Sequence, residues 1–283
     1  MNDAPSQEGE RIAKVMARAG LCSRREAERW IAAGRVTLNG ETITGPAVTV
    51  TPDDRITVDG QALPEREPTR IWRYHKPAGL VTTNRDPQGR PTVFDELPPD
   101  LPRVVTVGRL DVGSEGLLLL TNDGATARRL ELPATGWRRR YRVRVHGGVD
   151  TKALKALENG VTVEGIRYAP ITATLERDQA GSNAWITVTL TEGKNREVRR
   201  VMQHLGLHVN RLIRVGFGPF QLGTLARGAV EEISPRLVAE QLGSGPATPG
   251  RQGWAKAKPR RRSGKKHTRA SGAGRKNADH RRP

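Results

Sequence analysis

The spacing of apolar residues changes character three times along the chain. In "ERIAKVMARAG" (10–20), Ile12, Val15, Met16 and Ala19 recur at helical spacing, and Gly20 stops the run. "SRREAERWIAAG" (23–34) predicts a second helix, with Ser23 as N-cap, Glu26 completing a capping box and Gly34 ending it. "RVTLNG", "AVTV" and "RITVDG" then read as short strands, the first closed by an Asn-Gly turn. The charged, Pro-containing stretch 64–70, "PEREPTR", reads as a linker. Beyond it lie longer strand-like segments, several alternating apolar and polar: "IWRYHKPAGLVTT", "GLLLLTNDG", "RRYRVRVHG", "APITATLERD" and "AWITVTLTEG". "TKALKALENG" and "REVRRVMQHLG" have helical spacing and end in Gly. Leu117–Leu120 are too apolar for a surface strand and predict one buried in the sheet, with "NDG" turning the chain back. Strands interleaved with two or three helices predict an α+β fold on a mainly antiparallel sheet.

This pattern divides the 283 residues into a small module at 10–63, a linker at 64–70 and a larger domain at 71–242. Charge adds a fourth part. The formal net charge is +18, and residues 245–283 hold thirteen Lys and Arg against one acid, Asp279. That stretch, rich in Gly, Pro, Ser and Ala, cannot bury a core and is expected to be a disordered basic tail that neutralises phosphates. A solubility tail is the plainer alternative. In the first module Arg11, Lys14 and Arg18 on one helix and Arg24, Arg25 and Arg29 on the next, beside Arg35, predict a phosphate-binding surface; a solvated helical face is the alternative for any one of them.

Several chemistries lack support. A single cysteine, Cys22, excludes an internal disulfide framework and a cysteine zinc cluster. The polar N-terminus carries no signal peptide, and no apolar run approaches membrane-spanning length, so a cytoplasmic protein without membrane association is expected. No phosphate-binding GxxxxGK[ST] or GxGxxG loop and no HExxH occurs. None of the six histidines has a partner at metal-ligand spacing, and Val112 stands where a nucleophile elbow around Ser114 needs glycine.

"VGRLDVGSEGLLLLTNDG" (107–124) carries the chemistry. Asp111 lies in a loop where Gly108 and Gly113 permit close backbone approach, at the edge of an apolar strand. Burial there disfavours the carboxylate unless a cation offsets it. An Arg109–Asp111 pair bracing the loop is one reading. An Asp111–Glu115 acid/base pair for glycoside hydrolysis is another, although aromatic residues suited to sugar platforms make up only 4% of the chain.

The same stretch closely resembles the active-site motif of pseudouridine synthases, in the RsuA branch that modifies ribosomal RNA. "YHKPAGLVTTNRDPQGRPTVFDELP" (74–98) resembles the family's Lys-Pro-x-Gly segment, "RRRYRVRVHG" (138–147) its tyrosine strand, and "TEGKNREVRRVMQHLG" (191–206) its basic motif. The two capped helices and "GRVTLNG" resemble the alpha-L RNA-binding module, named for a small-subunit ribosomal protein, which precedes the catalytic domain in that branch. By this resemblance Asp111 is the catalytic aspartate, and Arg109 helps hold the RNA in its flipped-out form. Tyr141 packs against the target uracil, and Val198 and Arg199 form the apolar-basic pair whose arginine pairs with the carboxylate. Lys76, of the Lys-Pro-x-Gly segment, is counted with the RNA-binding residues. Gly113 departs from the family, whose members usually carry a polar residue there. "GRPTVFDELP", "GKNREVRR" and the basic tail resemble the B-type enzymes of the large subunit.

The implied reaction breaks the glycosidic bond of a flipped-out uridine, turns the base and rejoins the sugar at carbon five. It is redox-neutral and hydrolyses nothing, so no metal, nucleotide or redox cofactor is expected. The implied partner is ribosomal RNA, bound by a monomer. A non-catalytic rRNA-binding assembly factor using the same domain for docking is the alternative from another class, and a tail-driven RNA chaperone accounts only for the last forty residues or so.

Overall fold

The computed structural model describes residues 9–177 and 181–243, together with the backbone of 256–257. Of the stretch expected to be a disordered tail, all but that dipeptide lies outside the described residues.

The first module forms as its pattern dictates. Helix α1 (Ile12–Arg18) and helix α2 (Arg24–Ala32) bury Ile12, Met16, Ala27 and Ile31 against Val36, Val50, Ile56 and Val58 of short strands. Ser23 caps α2 through its side chain, which accepts from the Glu26 amide (3.1 Å), while Glu26 accepts from the Ser23 amide (3.3 Å). That box satisfies two amides that the first helical turn leaves free. The four-stranded sheet beside the helices turns at Asn39-Gly40 and Asp59-Gly60, all four with positive φ, as two-residue hairpins require.

The larger domain is built on one ten-stranded sheet. Its main strands are β1 (Ile71–Lys76), β2 (Val105–Val107), β3 (Ser114–Thr121), β4 (Arg139–His146), β5 (Thr172–Leu175), β6 (Asn183–Leu190), β7 (His208–Phe217) and β8 (Val230–Glu232). Their order is β5-β6-β4-β7-β3-β1-β8, with β2 paired to β3 on the edge opposite β1, beyond the end of the β7 contact. Every pairing is antiparallel except β3 with β7, which is parallel.

All eight residues of β3 are buried. Leu117 and Leu119 face one core with Ala127, Leu130, Val238 and Leu242; Leu118 and Leu120 face another with Trp72, Tyr74, Leu80 and Val93. A strand covered on both faces has no polar side to alternate with, which is why it reads as an unbroken apolar run. Each buried leucine contributes about 1.5–3 kcal/mol of transfer free energy.

Three expectations fail here. "NDG" does not turn the chain back into a hairpin. Asp123 is the N-cap of helix α3 (Gly124–Glu131), accepting from the amides of Ala125 (3.2 Å) and Thr126 (3.1 Å) and from the Thr126 hydroxyl (2.7 Å). Aspartate before a small-residue run serves equally as a turn residue or a cap, and the three bonds decide for the cap. Among the described residues the domain has four α-helices rather than two or three: α3, α4 (Thr151–Ala156), α5 (Glu197–His204) and α6 (Pro235–Leu242). Strand β1 also stops at Lys76, before Pro77, instead of running to Thr83.

Candidate active site

A cleft of about 750 Å³ opens where the β2–β3 loop, strands β4 and β7, and the turn before α5 converge. That volume suits one small ligand or an extruded nucleotide. Asp111 lines it from the loop, Tyr141 from β4 and Val198 from the start of α5.

The loop that presents Asp111 is fixed through its backbone. Lys76, with no exposed surface, sends its ammonium group to the carbonyls of Ser114 (2.9 Å), Pro77 (3.1 Å) and Asp111 (3.2 Å). Gly79 N–H donates to the Val112 carbonyl (2.7 Å), and the Thr82 hydroxyl donates to that of Leu110 (2.8 Å). Burial lowers the Lys76 pKa to about 8, while the charges of Asp111 and Glu115 favour its ammonium form. With so many carbonyls occupied, the half-buried Asp111 side chain is left facing the cleft. Lys76 was grouped with RNA-contacting residues; buried under the loop, it braces the aspartate instead.

Arg199 also serves the loop from beneath. Its Nη2 donates to the Gly113 carbonyl (2.9 Å) and Nη1 to that of Val209 (3.3 Å), rather than to a carboxylate. The Asp111 charge still favours its guanidinium, against burial and the like charge of Arg196, which lower its pKa. Neither Arg199 nor Arg109 forms the ion pair with Asp111 suggested by the sequence, among the described residues. A side chain at Gly113 would place its Cβ 3.4 Å from the Arg199 Nη2, so the glycine accommodates this contact. Arg109 is exposed at the cleft wall.

Glu115 is not a partner of Asp111. It lies outside the cleft lining, held by both arms of Arg211 (2.8 and 3.0 Å) and by Arg227 (3.3 Å), which keep its pKa low. Strand alternation turns it away from the face that Ser114 shares with Leu212. An acid/base pair of Asp111 with Glu115 is therefore excluded.

Glu197 and Arg214 are among the cleft residues that the reading of the sequence missed. Glu197, 4% exposed, accepts from the Lys194 amide (2.9 Å) through Oε2, whereas Oε1 has no partner; burial raises its pKa. Arg214, 3% exposed, reaches the cleft from β7. Its parity with Leu212 was the available signal, since alternate residues of a strand share a face.

In the first module Arg11, Arg24, Arg25 and Arg29 are exposed, whereas Lys14 and Arg18 are both engaged by Glu10. Among the described residues no group of three His, Cys, Asp or Glu is placed to hold a metal ion, and no helix is long and apolar enough to cross a membrane.

An antiparallel sheet with one parallel pair, carrying an aspartate on a pinned loop opposite a tyrosine strand, defines a class, and comparison with known proteins agrees with it. Residues 70–204 match the RNA pseudouridylate synthase family and residues 10–56 the S4 domain. The chain belongs to the RNA pseudouridine synthases, in the branch that carries an amino-terminal S4 domain, and is an isomerase. It is 45% identical to an uncharacterized RNA pseudouridine synthase of Rickettsia prowazekii, over 82% of this chain and 97% of that one. It is 46% identical to ribosomal large subunit pseudouridine synthase B of Salmonella typhi, over 79% of each chain, and 42% identical to the protein of the same name in Yersinia pestis, over 93% and 88%. A crystal structure of a pseudouridylate synthase superposes with a TM-score of 0.55 at 28% identity, covering 80% of this chain and 96% of that one.

Proposed function

We propose that this enzyme converts a uridine of large-subunit ribosomal RNA to pseudouridine in the cytoplasm, acting as a monomer, with Asp111 as the catalytic carboxylate. The observation that carries the reading is Asp111 itself: a carboxylate facing the cleft while its loop is pinned from behind by Lys76, Thr82 and Arg199. Such fixing holds a reactive group in position without consuming its charge. The target atoms of a stacked uridine are inaccessible, so the nucleotide has to be flipped into the cleft. Arg109, exposed at the cleft wall, holds the flipped RNA strand, and Tyr141 lies against the uracil ring. Val198 supplies an apolar wall. Arg199 acts on Asp111 by position, through Gly113, and by its charge. The exposed Arg11, Arg24, Arg25 and Arg29 of the S4 module bind phosphates. The large subunit is favoured by the Salmonella and Yersinia relatives named for it.

The test maps pseudouridines in rRNA from cells lacking the protein, complemented with wild type or Asp111→Asn. One large-subunit site should vanish and return only with wild type. The purified Asp111→Asn protein should keep its RNA affinity within about twofold, because it retains the cleft and the basic surfaces. Unchanged rRNA in either subunit would favour an assembly factor, and loss of binding in step with activity would remove Asp111 from the chemistry.

A further inference from the structure

Arg214 sits where neither the pattern of the sequence nor the stability of the fold calls for a cation. Along β4 and β7, Arg139 faces Phe217, and regular pairing would then set Tyr141 opposite Val215. A register shift between Arg140 and Tyr141 skips Val215 and sets Tyr141 opposite Arg214 instead. Bulges of this kind re-aim side chains beside active sites. The result is a buried guanidinium on the same face as Tyr141, both lining the cleft that holds Asp111.

Its bonding differs from that of the other buried arginine in the cleft. Arg139 directs its guanidinium to the carbonyls of Thr191 (2.6 Å), Trp137 (3.2 Å) and Glu131 (3.4 Å). Arg214 donates from Nε to the Leu117 carbonyl (2.8 Å), lies 5.0 Å over the Phe217 ring, and leaves Nη2 buried without a hydrogen-bond partner. Among the described residues no carboxylate offsets its charge. The groups that act on it are the Tyr141 hydroxyl, which lies within reach and favours the cation, and the like charge of Arg139, while burial lowers its pKa. An uncompensated buried cation with an orphan donor is destabilising, and such arrangements cluster at functional sites.

We infer that Arg214 is a positioning residue for Tyr141: it fixes the phenolic oxygen at the uracil and stabilises negative charge on it. This rests on the pseudouridine-synthase chemistry already assigned. After the sugar has joined carbon five, that carbon carries both the new C–C bond and its original hydrogen. The Tyr141 oxygen, oriented by the adjacent guanidinium, takes that proton as its own hydroxyl proton passes to solvent, and the C–H electron pair returns to the ring. N1 of the base gains a proton from solvent, so charge and atoms balance. A fixed cation aimed at the atom where charge develops is worth more in a water-poor site than in solution.

The experiment uses the full chain and rRNA from cells lacking it, labelled at uracil carbon five with hydrogen or deuterium, in single-turnover reactions across pH. Arg214→Met should slow product formation at least tenfold with RNA affinity unchanged. It should also raise the carbon-five isotope effect above wild type and move the rising limb of the rate profile to higher pH. Arg214→Lys, which keeps a cation, should restore most of the rate. The double variant Arg214→Met/Tyr141→Phe should be no slower than Tyr141→Phe alone. An isotope effect and pH profile identical to wild type, or a double variant slowed by the product of the two factors, would overturn the inference. If Arg214→Met does not fold, the same isotope and pH readouts on Arg214→Gln decide, since its amide keeps a polar side chain but carries no cation. Absence of product with wild type would instead overturn the assigned rRNA substrate, leaving a different signature from failure at Arg214.

Discussion

Lys76 and Glu197 show how much a single buried ionisable group can matter in this enzyme. Replacing Lys76 with Met removes the donor for the carbonyls of Pro77, Asp111, Val112 and Ser114 and leaves acceptors short of a partner. At about 1–3 kcal/mol for leaving a buried polar group unsatisfied, Lys76→Met should lose about 2–4 kcal/mol in urea denaturation, and activity should fall with the wandering of Asp111. Glu197 works in the opposite direction. Burial raises its pKa above the ordinary 4.5, so the folded state holds its proton more tightly than the unfolded chain. The stability contributed by that group is present below pH 4.5 and lost as pH rises through the folded value. Glu197→Gln keeps an acceptor for the Lys194 amide and has no charge to bury. Its Tm relative to wild type should therefore climb from pH 4 toward pH 8; a flat difference across that range would exclude the charge as the cause.

At the scale of elements, the parallel contact between β3 and β7 joins the two halves of the sheet, and Gly116 is its weak point. It pairs with Arg214, has φ of +104°, and a Cβ there would lie 2.2 Å from the Arg214 carbonyl oxygen. Backbone cannot yield as a flexible side chain does, so Gly116→Ala should cost about 3 kcal/mol or more and displace the strand carrying Arg214. The check is a shift in the denaturation midpoint with a loss of turnover in the folded fraction. Much of the element pattern was legible beforehand. The capping box at Ser23 and Glu26, the stops at Gly20 and Gly34, and the buried run Leu117–Leu120 all follow from local spacing. The start of α3 was not, because Asp123 has the same composition as a cap or a turn and only its three side-chain bonds distinguish them.

For the whole molecule, charge is distributed very differently from mass. Residues 245–283 carry +12 of the net +18. Phosphate neutralisation releases counterions, so the salt dependence of RNA affinity counts such contacts. Deleting residues 245–283 should flatten the slope of log affinity against log salt by several units while leaving single-turnover chemistry on saturating RNA intact. An unchanged slope would assign RNA affinity to the S4 module and the catalytic domain alone.

The sequence by itself determined most of the secondary elements, the burial of β3, the family, and Asp111 as the acid to watch. Those depend on neighbours in the chain: helical and strand periods, caps, and a motif in which glycines flank an aspartate. Only tertiary structure decided what each charged group faces. Lys76 turned inward to brace the loop, Arg199 bonded to Gly113 rather than to the carboxylate, and Glu115 was neutralised on the opposite side of its strand. A bulge that skips Val215 set Arg214 opposite Tyr141. Register and bulges are settled by pairing between strands distant in sequence, and one residue of slip exchanges the two faces of a strand. Local periodicity fixes which residues alternate, but the partner strand determines which of them meets the substrate.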